Sequence, residues 1–368
     1  MTPTARTDGA TDLAEPSGGA VLGEVASRVD AVLESFLAGR AADLAALDDA
    51  LVPVADSVTA LVRAGGKRLR PAFVWWGYRA ATADLDEEVL KPAGAVELLH
   101  TFALIHDDIM DRSATRRGLP AVHAALADHH RRAGLTGDPD WFGIGGGILA
   151  GDIVFVWADE LFEDARLDDA AKTRARRVFG TLRTEVMAGQ YLDLRLSGLP
   201  TATDEDSLRV SLLKSGRYTV TRPLQMGAAL GRPDPELVER LSAFGDAIGV
   251  AFQLRDDGLG LMGDPDTTGK GALEDVREGK RTLLVLRARE LAGAAGRRRL
   301  DAVLGDPAAT ADDVDAIREL VEGTGALDEV ERRVSALRAD AEAALVGIDG
   351  PARSALLELA AEAIDRSA

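Results

Sequence analysis

Between Leu98 and Asp111 an apolar run, Leu98-Leu99-His100-Thr101-Phe102-Ala103-Leu104-Ile105-His106, turns into Asp107-Asp108-Ile109-Met110-Asp111, and Arg116-Arg117-Gly118 follow. On a helix Asp107 and Asp111 lie one turn apart on a shared face, with Asp108 beside them. Carboxylates gathered this closely repel one another and weaken a plain structural helix, a cost that a divalent cation offsets. Oxygen donors without Cys or His suit a hard ion such as Mg²⁺, which typically takes one or two carboxylates together with phosphate oxygens. The other reading is a solvated acidic helix end, and this motif alone does not separate the two.

A second aspartate pair echoes the first. Leu254-Arg255-Asp256-Asp257 resembles Ile105-His106-Asp107-Asp108, and both end apolar helical runs. Two such helices facing each other across a bundle would hold metal ions between them. The cations are also informative. Of 43 basic residues only Lys67, Lys91, Lys172, Lys214, Lys270 and Lys280 are lysines. Where arginine stands at nearly every cationic position, a lysine marks a candidate for a compact, flexible ammonium. Lys67, Lys214, Lys270 and Lys280 sit beside Gly, Ser or charged residues, whereas Lys91 and Lys172 lie outside every motif and read as surface. Lys67, Arg68 and Arg70 follow a Gly65-Gly66 turn. In a chain with a net charge of −18, concentrated cations point to a small, highly charged anion such as a diphosphate. The acidic balance argues against nucleic acid or an anionic membrane as partner.

The elements that must position these groups read as helices. The 368 residues are 46% hydrophobic and only 4% aromatic, and apolar residues recur at helical spacing from Val21 to Phe36. Further helices are expected over about 44–62, from Lys67 to Tyr78, from Asp86 or Glu87 into the aspartate motif, and at 121–132. Others are expected at 148–164, 170–196, 205–230 and 236–261. Gly143–Gly147 has no preceding strand and no following Lys-Ser/Thr, so it reads as close helix packing or a flexible helix start rather than a phosphate loop. The C-terminal third reads as four or five shorter helices broken at Gly296, Asp306-Pro307, Gly323–Gly325 and Gly350-Pro351. No strand alternation and no internal linker is evident, so the expectation is a polar tail over residues 1–20 and one all-α domain over 21–368. No run of 18 or more apolar residues suggests a membrane span. The chain contains no cysteine, which removes thiol chemistry and disulfides and fits a reducing cytoplasm.

Taken in order, GGKRLRP, ELLHTFALIHDDIMD, RRG, LAGD, GQYLD, LLKSG, FQLRDD, TGKG and EDVREGKRT resemble the trans-isoprenyl diphosphate synthases, the polyprenyl synthetase family, over roughly residues 60–285. The resemblance implies an all-helical bundle of the isoprenoid synthase type with a central cavity. It implies three Mg²⁺, two held by Asp107, Asp108 and Asp111 and a third by Asp256 and Asp257, with Gln253 nearby. Lys214, Lys270 and Arg116 would touch the allylic diphosphate. Lys67, Arg70, His100 and Arg117 would hold isopentenyl diphosphate. Lys280 would stand near the entrance and Asp275 on a loop that closes the site. A homodimer is also implied. Two positions depart from the family pattern: Gly260 replaces the third aspartate of the second cluster, for which Asp264 is a candidate substitute, and the Lys270–Asp275 loop lacks the usual Pro and Gly.

Product length is also read from the resemblance. A single aromatic, Phe102, followed by small Ala103 before the first aspartate resembles geranylgeranyl-making members. A farnesyl, longer or mixed product is the alternative. A class I terpene cyclase is disfavoured because its second metal motif is absent and Lys67 and Arg70 are present. A catalytically silent subunit is disfavoured because the aspartates are kept. Asp152 and Asp193 read as structural or supporting residues, and His106 as a hydrogen-bond partner. His123, His129 and His130 read as loop or surface residues.

Overall fold

A computed structural model describes residues 20–232, 234–263 and 272–365. Helices dominate it. They are α1 (Ala20–Leu47), α2 (Val52–Arg63), α3 (Leu69–Ala81), α4 (Leu90–Met110), α5 (Val122–Arg132), α6 (Pro139–Glu163), α7 (Asp169–Ser197), α8 (Asp204–Val210), α9 (Arg222–Leu230) and α10 (Pro235–Met262). Six shorter helices complete the chain: α11 (Ala272–Glu278), α12 (Leu283–Leu291), α13 (Gly293–Val303), α14 (Ala311–Thr324), α15 (Ala326–Ala344) and α16 (Pro351–Ile364). A π-helical segment, Ser211–Thr221, joins α8 to α9.

Local chemistry sets the helix starts. Asp138, Asp168 and Asp234 each accept a backbone N–H at a helix N-terminus, and Pro139 and Pro235 open α6 and α10 with a preset φ. Asp86 caps a 3₁₀ turn, Glu87–Val89, that leads into α4. The first boundary lies later than periodicity suggested. Leu44–Leu47 extend α1, and Asp48 caps the following turn before Pro53 starts α2.

α4 is the central column. Leu90, Ala93, Val96, Leu98, Leu99 and Ile105 are buried in one continuous core, and α4 packs against α3 and α6. Glycine permits the tight crossings. A Cβ on Gly151 of α6 would strike the His106 ring, and one on Gly143 would strike the His123 carbonyl. The Gly143–Gly147 stretch therefore lies inside α6 as a packing face and is not its start. α10 lies against the π segment and α15, and α3 against α9.

Several expectations change. Thr115–Arg116 and Leu119–Pro120 form a minimal antiparallel pair, too short to leave an alternating pattern. His130 is buried, its ring 4.9 Å from that of Phe142 and its Nε2 3.2 Å from the Thr136 carbonyl, because this face of α5 packs on α6. Lys91 and Lys172 are not bland surface residues. Lys91 Nζ donates to the Asp164 carbonyl, and Lys172 Nζ to the Glu163 and Ala165 carbonyls, so both satisfy the negative C-terminal end of α6. The expected break at Gly296 falls instead at Ala292-Gly293, where Gly293 takes φ +63°. By length and a mean hydropathy of 1.5, α6 is the one helix among the described residues apolar enough to cross a membrane. One face of it is core, and the other leaves Trp141, Leu149 and Val156 exposed.

Candidate active site

α4 delivers its aspartates at its C-terminal end. Asp107 and Asp108 lie in the last turn, and Asp111 is the cap residue. Arg112 then takes φ +55°, a left-handed conformation unusual outside glycine, which turns the chain away from the helix axis. Asp108 is fully buried and accepts from Arg116 Nε at 2.8 Å as well as from Arg116 Nη2. Asp107 accepts from Gln190 Nε2 at 2.7 Å and lies 3.6 Å from Lys214 Nζ. Lys214 Nζ also reaches Asp193 Oδ2 at 2.6 Å. Burial opposes the charge on Lys214, but Asp107 and Asp193 outweigh it and hold the ammonium pKa above its ordinary value.

Lys214 and Tyr218 both lie on the π segment. The segment sets Lys214 against Asp107 of α4 and Asp193 of α7, and Tyr218 against His100 of α4. Gly189 of α7 and Gly249 of α10 let that backbone come close: a Cβ on Gly189 would strike the Lys214 backbone, and one on Gly249 would strike Gly216.

α10 carries Asp256 and Asp257. Gln253 Nε2 donates to Asp257 Oδ1 at 2.6 Å. Burial, followed by the charges of Asp256, Asp193 and Asp275, pushes the Asp257 carboxyl up to about 7 despite that hydrogen bond. Asp275 on α11 accepts from Lys280 Nζ at 2.6 Å, and Lys280 also lies 3.2 Å from Glu278.

The remaining wall is cationic. Lys67, Arg68 and Arg70 span the entry to α3, and Arg68 takes φ +51°. Arg68 is buried and held by Asp30 (2.8 Å), Glu97 (2.6 Å) and the Val62 carbonyl (2.8 Å). This anchoring sustains the strained turn. Lys67 Nζ meets Glu362 of α16 at 2.8 Å. Arg70 stacks over the Tyr218 ring at 4.5 Å, the Tyr218 hydroxyl lies 2.8 Å from His100 Nδ1, and Arg117 Nη2 lies 3.5 Å from His100 Nε2. Arg117 also has a left-handed backbone, φ +54°. Burial, reinforced by Arg70 and Arg117, holds the His100 pKa well below its ordinary value, so the imidazole is neutral at neutral pH.

Below the carboxylates on α4, Phe102 meets His106 edge-on at 4.7 Å and Phe155 of α6 at 5.0 Å. Half-buried Ala103 stands next to it. Asp107, Lys214 and Asp193 thus form one connected group, and Arg70, Tyr218, His100 and Arg117 another. Lys270 and Asp264 lie outside the described residues. Several members of the site had no motif-level signal strong enough to nominate them: Tyr218, Glu97, Arg68 as an anchor, Gln190, Glu362 and Phe155. Glu97 opens the ELLHTFALIHDDIMD piece, Arg68 lies in GGKRLRP, and Gln190 and Asp193 belong to GQYLD; these were the available clues.

Among the described residues no three carboxylates or imidazoles are gathered closely enough to form a closed metal cage. Oxygen donors that are close but incomplete are what an ion needs when it draws the rest of its coordination from phosphate.

A family model described as "Polyprenyl synthetase" matches residues 53–321. A geranylgeranyl diphosphate synthase of Methanosarcina mazei is 34% identical over 307 residues, covering 83% of this chain and 87% of the relative. A geranylfarnesyl diphosphate synthase of Aeropyrum pernix is 34% identical over 277 residues, 74% of this chain and 80% of its own. A crystal structure of geranylgeranyl pyrophosphate synthase from Corynebacterium glutamicum, complexed with isoprenyl diphosphate and magnesium, has a TM-score of 0.89 at 36% identity, covering 96% of this chain and 100% of that one.

Proposed function

The chain belongs to the polyprenyl synthetase family and is a trans-prenyltransferase that elongates prenyl diphosphates; from this premise we propose that it condenses isopentenyl diphosphate with allylic diphosphates and releases mainly geranylgeranyl diphosphate. The carrying observation is the pairing of walls. Lys214 joins Asp107 of α4 to Asp193 of α7, whose charge acts on Asp257 of α10, and Arg70, Tyr218, His100 and Arg117 form a linked cationic group.

The enzyme depends on a divalent metal, and its donor set fits Mg²⁺: all-oxygen ligands, with Asp257 crowded by like charge until a cation neutralises it. Asp107, Asp108 and Asp111 would hold two ions, and Asp256 and Asp257 a third. Bound metal neutralises charge on the leaving diphosphate as the allylic carbon–oxygen bond breaks. Lys214, Lys270 and Arg116 share that charge from the protein side. On the other side, Lys67, Arg70 and Arg117 fix isopentenyl diphosphate, with neutral His100 as a hydrogen-bonding partner, so that its double bond meets the allylic cation. Burial of the cavity keeps water from quenching that cation. The released diphosphate then takes the proton lost on forming the new double bond, so no protein base is required.

Phe102 sets the floor for the growing tail, with Ala103 leaving room beside it. We further propose a homodimer. Trp141, Ile148, Leu149 and Val156 of α6 and Met187, Tyr191 and Leu194 of α7 are exposed large apolar residues, which burial against a second copy would cover. The cysteine-free composition supports a cytoplasmic location.

The test is incubation of the pure protein with Mg²⁺, isopentenyl diphosphate and each of the C5, C10 and C15 allylic diphosphates, followed by measurement of product length. A C20 end point is expected. No condensation with any starter would sink the function, and a C15 end point would sink the product assignment.

A further inference from the structure

Lys67 takes its partners from the far end of the chain. Its Nζ donates to Glu362 Oε2 at 2.8 Å and to the Glu362 backbone carbonyl at 3.3 Å. The chain on both sides of this lysine is fixed. Arg68 is buried and paired with Asp30 and Glu97. On the other side, a Cβ built on Gly66 would meet Arg117 Nη2 at 3.0 Å, and that nitrogen lies 3.5 Å from His100 Nε2. The turn is thus seated beside the cationic group, and the flexible four-carbon stem of Lys67 is what can change partner.

The acceptor is fixed as well. Leu359, Ala363 and Ile364, on either side of Glu362, are at most 2% exposed, and α16 packs on α3. The helix ends at Ile364. The Glu362 carbonyl therefore belongs to the last turn, where carbonyls lack intrahelical donors and the helix dipole is negative. Lys67 meets two anionic features at once, a carboxylate and a helix C-terminus. The pair is also open to solvent: the two side chains are 47% and 35% exposed. An ion pair of this kind is weak enough to exchange, unlike the buried pair of Arg68 and Glu97.

We propose that Glu362 competes with the diphosphate of isopentenyl diphosphate for Lys67, so that the end of α16 is a latch the substrate must displace. The proposal rests on the prenyltransferase reading, in which Lys67 holds that diphosphate. A diphosphate approaching Lys67 meets the Glu362 carboxylate as a like charge. The ammonium has to leave that carboxylate before it can neutralise phosphate oxygen. Glu362 acts on the substrate only through Lys67 and is a positioning residue, one that lowers affinity where a supporting residue would raise it.

The experiment measures isopentenyl diphosphate binding by calorimetry with Mg²⁺ and no allylic starter, and the KM for isopentenyl diphosphate during elongation. Glu362→Gln removes the charge and keeps the shape. It should lower both Kd and KM about two- to fivefold, the range open to an exposed ion pair. Lys67→Gln should weaken binding, and adding Glu362→Gln to it should bring no further gain, because the carboxylate then has no ammonium to withhold. Melting temperatures near the wild-type value show that each variant is folded. Should Glu362→Gln itself unfold, Glu362→Asp keeps the charge but draws it back by one methylene, and it should lower Kd by a smaller factor. A folded Glu362 variant that binds isopentenyl diphosphate as the wild type does, or more weakly, overturns the latch. So does an equal gain from Glu362→Gln with and without Lys67. In each case, elongation by the wild type leaves the prenyltransferase reading standing; a wild type that elongates no starter removes that reading instead.

Discussion

At the residue scale, single side chains carry the proposals about product length and pH response. Phe102 packs against His106 and Phe155, the position proposed as the floor for the growing tail. Phe102→Ala opens that space and should shift the product toward longer chains, read by mass spectrometry of the dephosphorylated alcohols. An unchanged distribution removes Phe102 from the floor. His100 gives a stability prediction. Its native pKa is depressed, by burial first and by Arg70 and Arg117 next. The unfolded chain therefore binds the extra proton below about pH 6.5 while the native state does not, and the contribution of this group falls as pH drops through that value. The loss is at most about 1.4 kcal/mol per pH unit for this one group. His100→Gln should show a correspondingly flatter decline in melting temperature between pH 7.5 and 5.5. Asp257 behaves oppositely. Its raised native pKa, about 7 without metal, means that Mg²⁺ binding expels a proton near neutrality. Calorimetry in two buffers of different ionisation enthalpy should show proton release that fades above pH 8; heats independent of the buffer would contradict the coupling.

At the element scale, the π segment 211–221 is the most consequential local feature, because it orients Lys214 and Tyr218 together. It depends on a backbone crossing in which Gly216 and Gly249 almost touch. Gly249→Ala should push the segment away, costing about 1–3 kcal/mol through overpacking. It should also lower kcat/KM at least tenfold, since Lys214 leaves the Asp107–Asp193 pair; full activity with a lower melting temperature alone would show that the crossing serves packing only. The turn before α3 follows the same logic. Arg68 and Glu97 form a charge pair, both partners about 3% exposed at the side chain, that holds a left-handed arginine in place. Removing one partner of such a pair strands the other and typically costs about 3–5 kcal/mol, so Glu97→Ala should lower the melting temperature and raise the KM for isopentenyl diphosphate together. An unaltered KM would separate the pair from the binding wall.

At the scale of the whole molecule, the exposed stripe on α6 and α7 is the feature that one chain alone leaves unexplained. Trp141 is 72% exposed, Leu149 63% and Tyr191 68%. Burying such a surface against a second copy would contribute roughly 25 cal/mol per Å² of apolar area. Leu149→Asp should convert a dimer to monomer in light scattering. A wild type that is already monomeric at micromolar concentration would dispose of the dimer. α6 also packs against α4 directly beneath the aspartates, so dissociation should lower activity as well as change mass.

The sequence alone determined the helical class and most helix spans, and it nominated the residues proposed to carry the chemistry. The spans were legible because amphipathic periodicity and Asp or Pro start signals are local, as at α7 and α10. The motif aspartates and the lysines were legible because their types are costly to keep without a use. The Leu98–Asp111 stretch announced the site in this way. Tertiary structure decided what depends on distant neighbours. No local signal could reveal that Tyr218 would lie between His100 and Arg70, that Glu97 would anchor Arg68, or that Lys91 and Lys172 would end on the carbonyls of α6. The burial of His130 and the continuation of α6 through Gly143–Gly147 likewise follow from the helix that packs across them. Gly260 shows the division most plainly. In the sequence it is a missing aspartate; in the fold it is the space beside which Asp275, 15 positions further along the chain, places its carboxylate. Proximity of that kind is set by how helices cross, and the order of residues does not encode it locally.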